Sequence, residues 1–226
     1  CLEQRLAYYY GLPILLADGL GMAGAQIAGL LLAVSPAFVY WSRFYIQEVP
    51  LVLATALLLG CGWRFSRTNR TGWLWGAGIS AGLMLCLKET AWLSLIAGGI
   101  GLASVRPARQ WVLRHHRRLL FPALAALAIP AILLGPSALV APLHYWELGL
   151  SGGDHAHPWY WYFTDSIQPA KLFTEWIPLA LAAIVPVQLA RNRWVLPCSR
   201  ALVGYVFAFM MALAAAYSAL PYKTPW

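Results

Sequence analysis

Long apolar runs recur along this chain from its first quarter to its last residues. A helix that crosses a bilayer needs roughly 17–25 mainly apolar residues. Stretches that approach this length are Met22–Trp41, Val49–Phe65, Gly72–Leu87, Ala91–Val105, Leu119–Ala141, Trp176–Leu189 and Ala201–Leu220. Leu6–Ala17 has the character of the end of an earlier span. The pattern predicts an all-α fold, a polytopic transmembrane helix bundle with about seven complete spans and a partial N-terminal one.

The composition favours a membrane protein over a soluble one. Only 11% of the residues are charged and 61% are hydrophobic, whereas soluble domains carry about 25% charged residues. Apolar runs continue to the end of the chain, which argues against a signal peptide followed by a soluble domain. The scattered cysteines have neither metal-site nor disulfide-framework spacing. The chain lacks an initiating Met and stops at PYKTPW, so we expect residues 1–226 to be a single transmembrane domain from within a longer protein.

Arginine-rich segments predict the orientation of the spans. Three segments contain eleven arginines and no acid, namely Arg64–Arg70, Arg106–Arg118 and Arg191–Arg200. The positive-inside rule places them in the cytoplasm. The chain between the first two segments, Thr71–Val105, is too long for one span, and both of its ends must lie in the cytoplasm. We therefore predict two short spans that meet outside at Lys88-Glu89-Thr90, and we attribute the net charge of +8 to topology rather than to nucleic acid binding.

Four other segments are predicted to face the extracytoplasmic side. They are SRFYIQE (Ser42–Glu48), LKET (Leu87–Thr90), the loop Pro142–Glu175 and PYKTPW (Pro221–Trp226). Six of the eight acids lie in them, namely Glu48, Glu89, Glu147, Asp154, Asp165 and Glu175. Their basic residues are Arg43, Lys88, Lys171 and Lys223. We expect this polar and aromatic cluster at one end of an apolar bundle to form a substrate site.

The segment SRFYIQE allows two interpretations. Glu48 can bind a metal or hold an acceptor hydroxyl, and the forked guanidinium of Arg43 suits phosphate oxygens. Alternatively, Glu48 favours the positive end of a helix dipole just before Pro50. In that case Arg43 extends its charge to the membrane interface. Residue types alone slightly favour the second interpretation.

The pair Lys88-Glu89 interrupts an otherwise apolar stretch. Ionisable groups near membrane depth are costly and usually face a cavity or a partner. The alternative is a solvated hairpin turn. We favour a functional role, because a turn in water needs no charge where Ser or Asn would suffice.

The loop Gly152–Asp165 contains His155 and His157, whose imidazoles suit Zn or Mn. Two histidines one residue apart share a face on a strand but diverge on a helix, so this metal signal is weak. The neighbouring Trp159 and Tyr160 can cover a sugar ring or lie in an interfacial belt.

The segment PYKTPW places Tyr222 and Lys223 in irregular backbone. Such backbone at membrane depth is tolerated only inside protein or beside a cavity. Lys223 can then pair with a lipid phosphate, or alternatively extend from a helix end to the interface. The chain contains no phosphate-binding loop, dinucleotide fingerprint or zinc-protease motif, so we expect no nucleotide cofactor.

Two long motifs resemble a known group of enzymes. LLLAVSPAFVYWSRFYIQE (Leu30–Glu48) and GISAGLMLCLKETAW (Gly78–Trp92) are similar to the polytopic glycosyltransferases of the GT-C class. Within that class they resemble the protein O-mannosyltransferase and aminoarabinose-transferase superfamily. HPWYWY (His157–Tyr162) and PYKTPW resemble more specifically a prokaryotic, flippase-associated branch linked to archaeal glycosylation.

The resemblance implies transfer of a sugar from a polyprenyl-phosphate donor to a glycan, lipid or protein acceptor on the outer face of a prokaryotic plasma membrane. It also implies a divalent metal in some members. The main catalytic carboxylate of the family belongs to a first external loop, which we expect to precede this chain, so that this segment alone would be inactive.

The resemblance also implies roles for individual residues. Glu48 matches the family's second acidic motif, near metal or acceptor, and Lys88 matches a lysine near the donor phosphate. By extension we expect the remaining site residues to be Arg43 and Lys223 at the phosphate, Glu89, Trp159, Tyr160 and Tyr222 facing substrate, and His155 and His157 at the metal.

Two other classes of function remain open. A flippase or transporter for lipid-linked sugars would typically show inverted repeats and charges near the midplane. No repeat is evident here, and the charges collect at one end, which favours the enzyme. A non-catalytic accessory subunit would lack an acidic pair in the first external loop.

Overall fold

The computed structural model describes residues 12–34, 47–140, 143, 147, 158, 183–188, 190 and 199–220. The longer elements in these ranges are all helical. They are α1 (Leu12–Val34), α2 (Glu48–Thr68), α3 (Thr71–Leu87), α4 (Ala91–Ser104), α5 (Arg106–Leu133), the 3-10 helix η1 (Pro136–Leu139) and α6 (Arg200–Ala219). This confirms the all-α class.

Four of these helices, α1, α2, α5 and α6, are long and apolar enough to cross a membrane, whereas α3 and α4 are shorter apolar helices. The predicted number of seven complete spans is not established. The predicted span Trp176–Leu189 is described only over residues 183–188, which are helical.

Helix α1 corrects one predicted boundary. A span ending at Ala17 was expected, but the structure is helical from Leu12 and remains so beyond Ala17. The break comes at Gly21, whose backbone angles (φ 75°, ψ 159°) are non-helical. Glycine tolerates this positive φ because it has no Cβ. The discontinuity expected between two apolar runs is therefore present, a few residues later than predicted.

The segment Arg106–Arg118 was expected to be a loop, but it forms the first half of α5. It is helical because one side of it packs on α2. Phe65 is fully buried there and lies edge-on to Trp111, with ring centroids 5.0 Å apart, and to His115, at 5.8 Å. With 28 residues, α5 is about 42 Å long, more than the roughly 30 Å of the hydrocarbon core. Its arginine-bearing turns therefore extend beyond the apolar layer.

Helix α3 lies between α2 and α5, and two glycines allow it to approach α5 closely. A Cβ on Gly78 would lie 2.5 Å from the carbonyl oxygen of Pro122, and one on Gly82 would lie 2.8 Å from Cδ1 of Ile129. Because Pro130 has no backbone N–H, it cannot donate the usual helical hydrogen bond to the carbonyl oxygen of Ala126. A Cβ on Gly82 would also lie 3.2 Å from that carbonyl oxygen. The two helices therefore approach so closely that the backbone of α3 at Gly78 and Gly82 lies against backbone and side-chain atoms of α5.

Three sets of contacts define one end of the bundle, here called the arginine-rich end. Nη1 of Arg118 donates a hydrogen bond to Oδ1 of Asn69 at 3.0 Å, which joins the two predicted basic segments. Arg64 forms an ion pair with Asp18, and its Nε donates to the carbonyl of Leu15 at 3.0 Å. The N–H of Ser199, just before α6, donates to the carbonyl of Gly19. The starts of α3 and α6 and the ends of α2 and α4 therefore lie near this end.

Candidate functional site

The structure places Lys88, Glu89 and Thr90 in the turn that joins α3 to α4, where the sequence predicted a hairpin. The N–H of Lys88 donates to the carbonyl of Met84 at 3.3 Å, and the N–H of Ala91 donates to the carbonyl of Lys88 at 3.1 Å. Lys88 is half-buried, Glu89 is exposed and Thr90 is buried. The turn is thus fixed to both helices through its backbone, and its two charged residues differ in exposure.

If both α3 and α4 extend from the membrane surface of the arginine-rich end, their lengths leave this turn below the opposite surface. Their 17 and 14 residues correspond to about 26 and 21 Å, whereas the hydrocarbon core is roughly 30 Å thick. Both helices reach the arginine-rich end, since Arg70 directly precedes α3 and only Val105 separates the end of α4 from Arg106. An ionisable pair at that depth needs a cavity or a partner, which favours the functional interpretation over a solvated turn.

A packed apolar cluster lies directly behind the turn. Ala54 of α2, Met84 of α3 and Ala91 of α4 form its buried centre, with leucines from the same three helices around them. Met84 and Ala91 are fully inaccessible to solvent. Because three helices are joined at this level, the position of the Lys88 backbone is set by packing rather than by the turn alone.

An open pocket of about 410 Å³ lies above this cluster. Its lining comes from three separate parts of the chain: the residue before α2, the α3–α4 turn with its flanking residues, and the end of α5 with η1. The polar lining residues are Gln47, Lys88, Glu89 and Ser137, and apolar lining residues include Trp92 and Leu134. The volume falls within the range of small-molecule sites. A pocket with one cation, one carboxylate and an indole can hold an anionic group beside a sugar-sized apolar face.

The pocket brings together only part of the predicted site. Glu48 is the first residue of α2, next to the pocket-lining Gln47, and Pro50 lies in the first turn as predicted. The predicted helix start at Glu48 is therefore confirmed, and the residue before it, Gln47, lines the pocket. The side chain of Glu48 lies outside the described part of the structure, as do the predicted site residues Arg43, His155, His157, Trp159, Tyr160, Tyr222 and Lys223.

Helix α6 is antiparallel to α4 and connects the two ends of the bundle. A Cβ on Gly101, near the end of α4, would lie 3.1 Å from the ring of Tyr205, which is near the start of α6. The other end of α6, at Ala219, therefore points toward the end that carries the Lys88–Glu89 turn, here called the pocket end. The C-terminal segment that contains Lys223 follows from there, outside the described residues.

Sequence reasoning named Lys88 and Glu89 but missed other lining residues, among them Gln47, Cys86, Trp92, Leu134 and Ser137. Cys86 and Trp92 flank the Lys88–Glu89 pair, so a search one helical turn to either side would have found them. Ser137 has no such signal. It reaches the pocket only because α5 packs along α3 and ends beside the turn.

Metal binding stays a prediction. Among the described residues, no group of three or more His, Cys, Asp or Glu side chains is close enough to hold a metal ion. The expected ligands His155 and His157 lie outside those residues.

The fold and the pocket define an integral membrane protein with several apolar helices and a polar site at one end. The model of the family described as dolichyl-phosphate-mannose-protein mannosyltransferase matches residues 12–134, just over half of the chain. The chain therefore belongs to this family, and it is a mannosyltransferase-like membrane glycosyltransferase of the GT-C class. The match runs from α1 through α5 and includes Glu48, Lys88 and Glu89. No curated protein and no solved structure matches the chain significantly.

Proposed function

We propose that this protein transfers a sugar from a polyprenyl-phosphate donor to an acceptor on the extracytoplasmic face of a prokaryotic plasma membrane. The observation that carries the proposal is the Lys88–Glu89 pair in a pocket at the end of the bundle opposite the arginines. Family membership supports sugar transfer. The polyprenyl-phosphate donor is what the resemblance to the family implies, and the side of the membrane and the site residues are inferred from residue chemistry, topology and the resemblance.

Lys88 is assigned to the donor phosphate. In the reaction, an acceptor oxygen attacks the anomeric carbon while the bond from that carbon to the phosphate oxygen breaks. The polyprenyl phosphate leaves with the bonding electrons. A cation held near that oxygen stabilises the developing charge, and its effect is large where water is largely excluded. Half-buried Lys88, on a turn backed by packed side chains, meets this requirement. Arg43 and Lys223 are proposed to complete the phosphate site.

Glu48 is assigned to the acceptor side. The acceptor hydroxyl loses its proton as it attacks, as in inverting sugar chemistry generally. The carboxylate of the first external loop is proposed to accept that proton, and Glu48 is proposed to position the acceptor or a metal ion beside it. Glu48 begins α2 directly after Gln47, which lines the same pocket as Lys88. Because Glu89 is exposed, it is proposed to face the sugar or the acceptor, together with Trp159, Tyr160 and Tyr222.

The apolar lining suits the rest of the donor. Trp92 offers a flat indole for the C–H surface of a sugar ring, and Leu134 offers an apolar wall on the side of α5. A prenyl chain would leave toward the lipid, since exposed apolar side chains surround the bundle. No nucleotide is required by this arrangement.

The outward orientation is supported by the arginines. Positive loops are retained in the cytoplasm, and the structure gathers the described ones at the end away from the pocket. Impermeant thiol labelling of Lys88→Cys and Lys223→Cys tests this orientation, each in full-length protein whose native cysteines, including the pocket-lining Cys86, are replaced by serine. Both are expected to react from outside the cell. Labelling from opposite sides would reject a shared site.

Glu48→Gln in the full-length protein tests the assigned reaction. Transfer from polyprenyl-phosphate mannose should fall strongly, while membrane insertion stays normal. Asp18→Asn, the corresponding change at an exposed acid of the arginine-rich end, is the matched control and should retain transfer. A wild-type rate in Glu48→Gln would remove the role assigned to it. Movement of the lipid-linked sugar across the bilayer without transfer would instead indicate a flippase.

Chelation tests the proposed divalent metal, for which His155 and His157 are the proposed ligands. EDTA should reduce transfer, and added Mn²⁺ or Mg²⁺ should restore it. Turnover that is insensitive to EDTA would argue against metal involvement while leaving the assignments of Lys88 and Glu48 intact.

A further inference from the structure

The outward face of α5 carries two kinds of side chain in one continuous line. Its first half packs against α2 through Trp111 and His115. At 3.6 residues per turn, Arg109 and Arg117 lie about half a turn from this packed side, and Arg114 lies at its edge. All three arginines are exposed. They lie at the end of α5 that extends beyond the apolar layer.

Below these arginines the same face becomes apolar without interruption. Leu120, Leu124 and Leu127 follow Arg117 at spacings of three, four and three residues, which places all four on one side of the helix. Leu120 and Leu124 are more than half exposed, and so is Phe121 beside them. Arg117 thus stands directly above a row of side chains that face hydrocarbon.

The electrostatic setting of this face is strongly positive. Neither Arg64–Arg70 nor Arg106–Arg118 contains an acid. The side chain of Arg118 is held by Asn69, which fixes the α2–α3 turn and its arginines beside α5. Arg114 and Arg117, three residues and about 4.5 Å apart along the helix axis, are neighbours on the helix surface, so one phosphate can contact both guanidinium groups.

This combination fits one ligand better than others. A nucleic acid or an acidic protein would match the arginines but would leave the leucine row unexplained. A neutral lipid would match the leucines alone. An anionic phospholipid has a phosphate at headgroup level and acyl chains below it, in the same order as Arg114 and Arg117 above Leu120, Phe121 and Leu124. Guanidinium groups bind phosphate oxygens in a forked geometry, and basic residues at a membrane surface attract anionic lipids.

We propose that the outward face of α5 is a binding site for an anionic phospholipid of the leaflet at the arginine-rich end. Arg114 and Arg117 hold the headgroup phosphate, and Leu120, Phe121 and Leu124 contact the acyl chains. The site is separate from the pocket, and it does not depend on the reaction proposed above.

Photo-crosslinking in lipid nanodiscs tests the site directly. Full-length protein is reconstituted in phosphatidylcholine with a small fraction of phosphatidylglycerol that carries a photoreactive group in its acyl chain. Crosslinks are then mapped by mass spectrometry. We expect crosslinks on the Leu120–Leu124 turn, and several-fold fewer with the matching phosphatidylcholine probe. Each arginine near an anionic surface contributes about 1 kcal/mol, so Arg114→Gln/Arg117→Gln should reduce the phosphatidylglycerol crosslinks by about fivefold per charge at low salt.

The matched control is Arg67→Gln/Arg70→Gln, which removes the same charge from exposed arginines at the same end but not from α5. It should retain most of the crosslinks on α5, and Arg114→Lys/Arg117→Lys should retain more than the glutamine pair. Equal losses in both glutamine pairs would show a diffuse field rather than a site. Equal crosslinking by both lipid probes would also overturn the proposal, as would an acidic protein or a nucleic acid crosslinked to α5 in place of the lipid. Unchanged thermal unfolding verifies that each variant is folded.

Discussion

The arginine-rich end and the pocket end of this bundle both carry charged residues, but they hold them differently. At the arginine-rich end the guanidinium groups are mostly exposed, and local contacts such as Arg64 with Asp18 and Arg118 with Asn69 connect neighbouring helices. At the pocket end Lys88 is half-buried in a short turn, directly above the packed side chains of Met84 and Ala91. Exposed charges are screened by water and salt, so their main effect is on the orientation of the protein in the membrane. A half-buried charge is screened less and can interact strongly with a molecule bound beside it.

Removing one positive charge from each end should separate these roles most strongly. Lys88→Ala is expected to lower sugar transfer by about 100-fold or more, because a preorganised cation at the leaving phosphate would be lost. Arg67→Gln at the other end should change the rate less than about twofold, since an exposed charge there is screened. Rates of mannose transfer from a polyprenyl-phosphate donor measure both. Similar rates in the two variants would contradict the contrast between the ends.

The close packing that carries the Lys88 turn can be weakened without changing any charge. Gly78→Ala places a Cβ 2.5 Å from the carbonyl oxygen of Pro122, so α3 and α5 must separate. Forcing extra atoms into a packed interface typically costs about 1–3 kcal/mol. Thermal unfolding in detergent should therefore shift to lower temperature. Gly62→Ala, on α2, is the control. Apart from the backbone of its own helix and its two chain neighbours, no described atom lies within 4 Å of the new Cβ.

Gly62→Ala should be neutral or slightly stabilising, because alanine favours the helix by up to about 1 kcal/mol. The same loss of stability in both variants would mean that helix backbone effects, rather than the approach of α3 to α5, explain the result.

The smallest expected effect concerns the ion pair at the arginine-rich end. Asp18 is 47% exposed and Arg64 is 22% exposed, and pairs of this kind contribute less than about 1 kcal/mol. Asp18→Asn should therefore lower the unfolding temperature only slightly, and added salt should shrink the difference between the variant and the wild type. A large shift that salt does not affect would show that the pair is energetically more like a buried contact.

The sequence predicted the parts of this structure that depend on hydropathy and charge sign. Apolar run length predicted α2, α3, α4 and α6 to within a few residues, and the absence of acids beside the arginines predicted that Arg64–Arg70 and Arg106–Arg118 share one end. Charge alone could not show that Arg106–Arg118 is helical. That outcome depends on Trp111 and His115 packing on Phe65, a contact between residues far apart in the chain.

The candidate site was predictable only where its residues are local. The pair Lys88-Glu89 is visible because charges interrupt an apolar stretch, and the pocket does form around it. Ser137 and Leu134 were not predictable, because they reach the pocket through the close approach of α3 to α5 at Gly78 and Gly82. The roles of Arg43, His155, His157 and Lys223 stay predictions.

Thiol labelling at Cys86 tests most directly whether the pocket binds the donor. Cys86 lines the pocket, whereas Cys61 is buried on α2. In full-length protein carrying Cys1→Ser and Cys198→Ser, a small impermeant thiol reagent added outside should label Cys86. Polyprenyl-phosphate mannose at ten times its Kd should slow this labelling by about tenfold, in proportion to the fraction of pockets left empty. Labelling of Cys86 at an unchanged rate while the donor is bound and the protein transfers sugar would contradict the account.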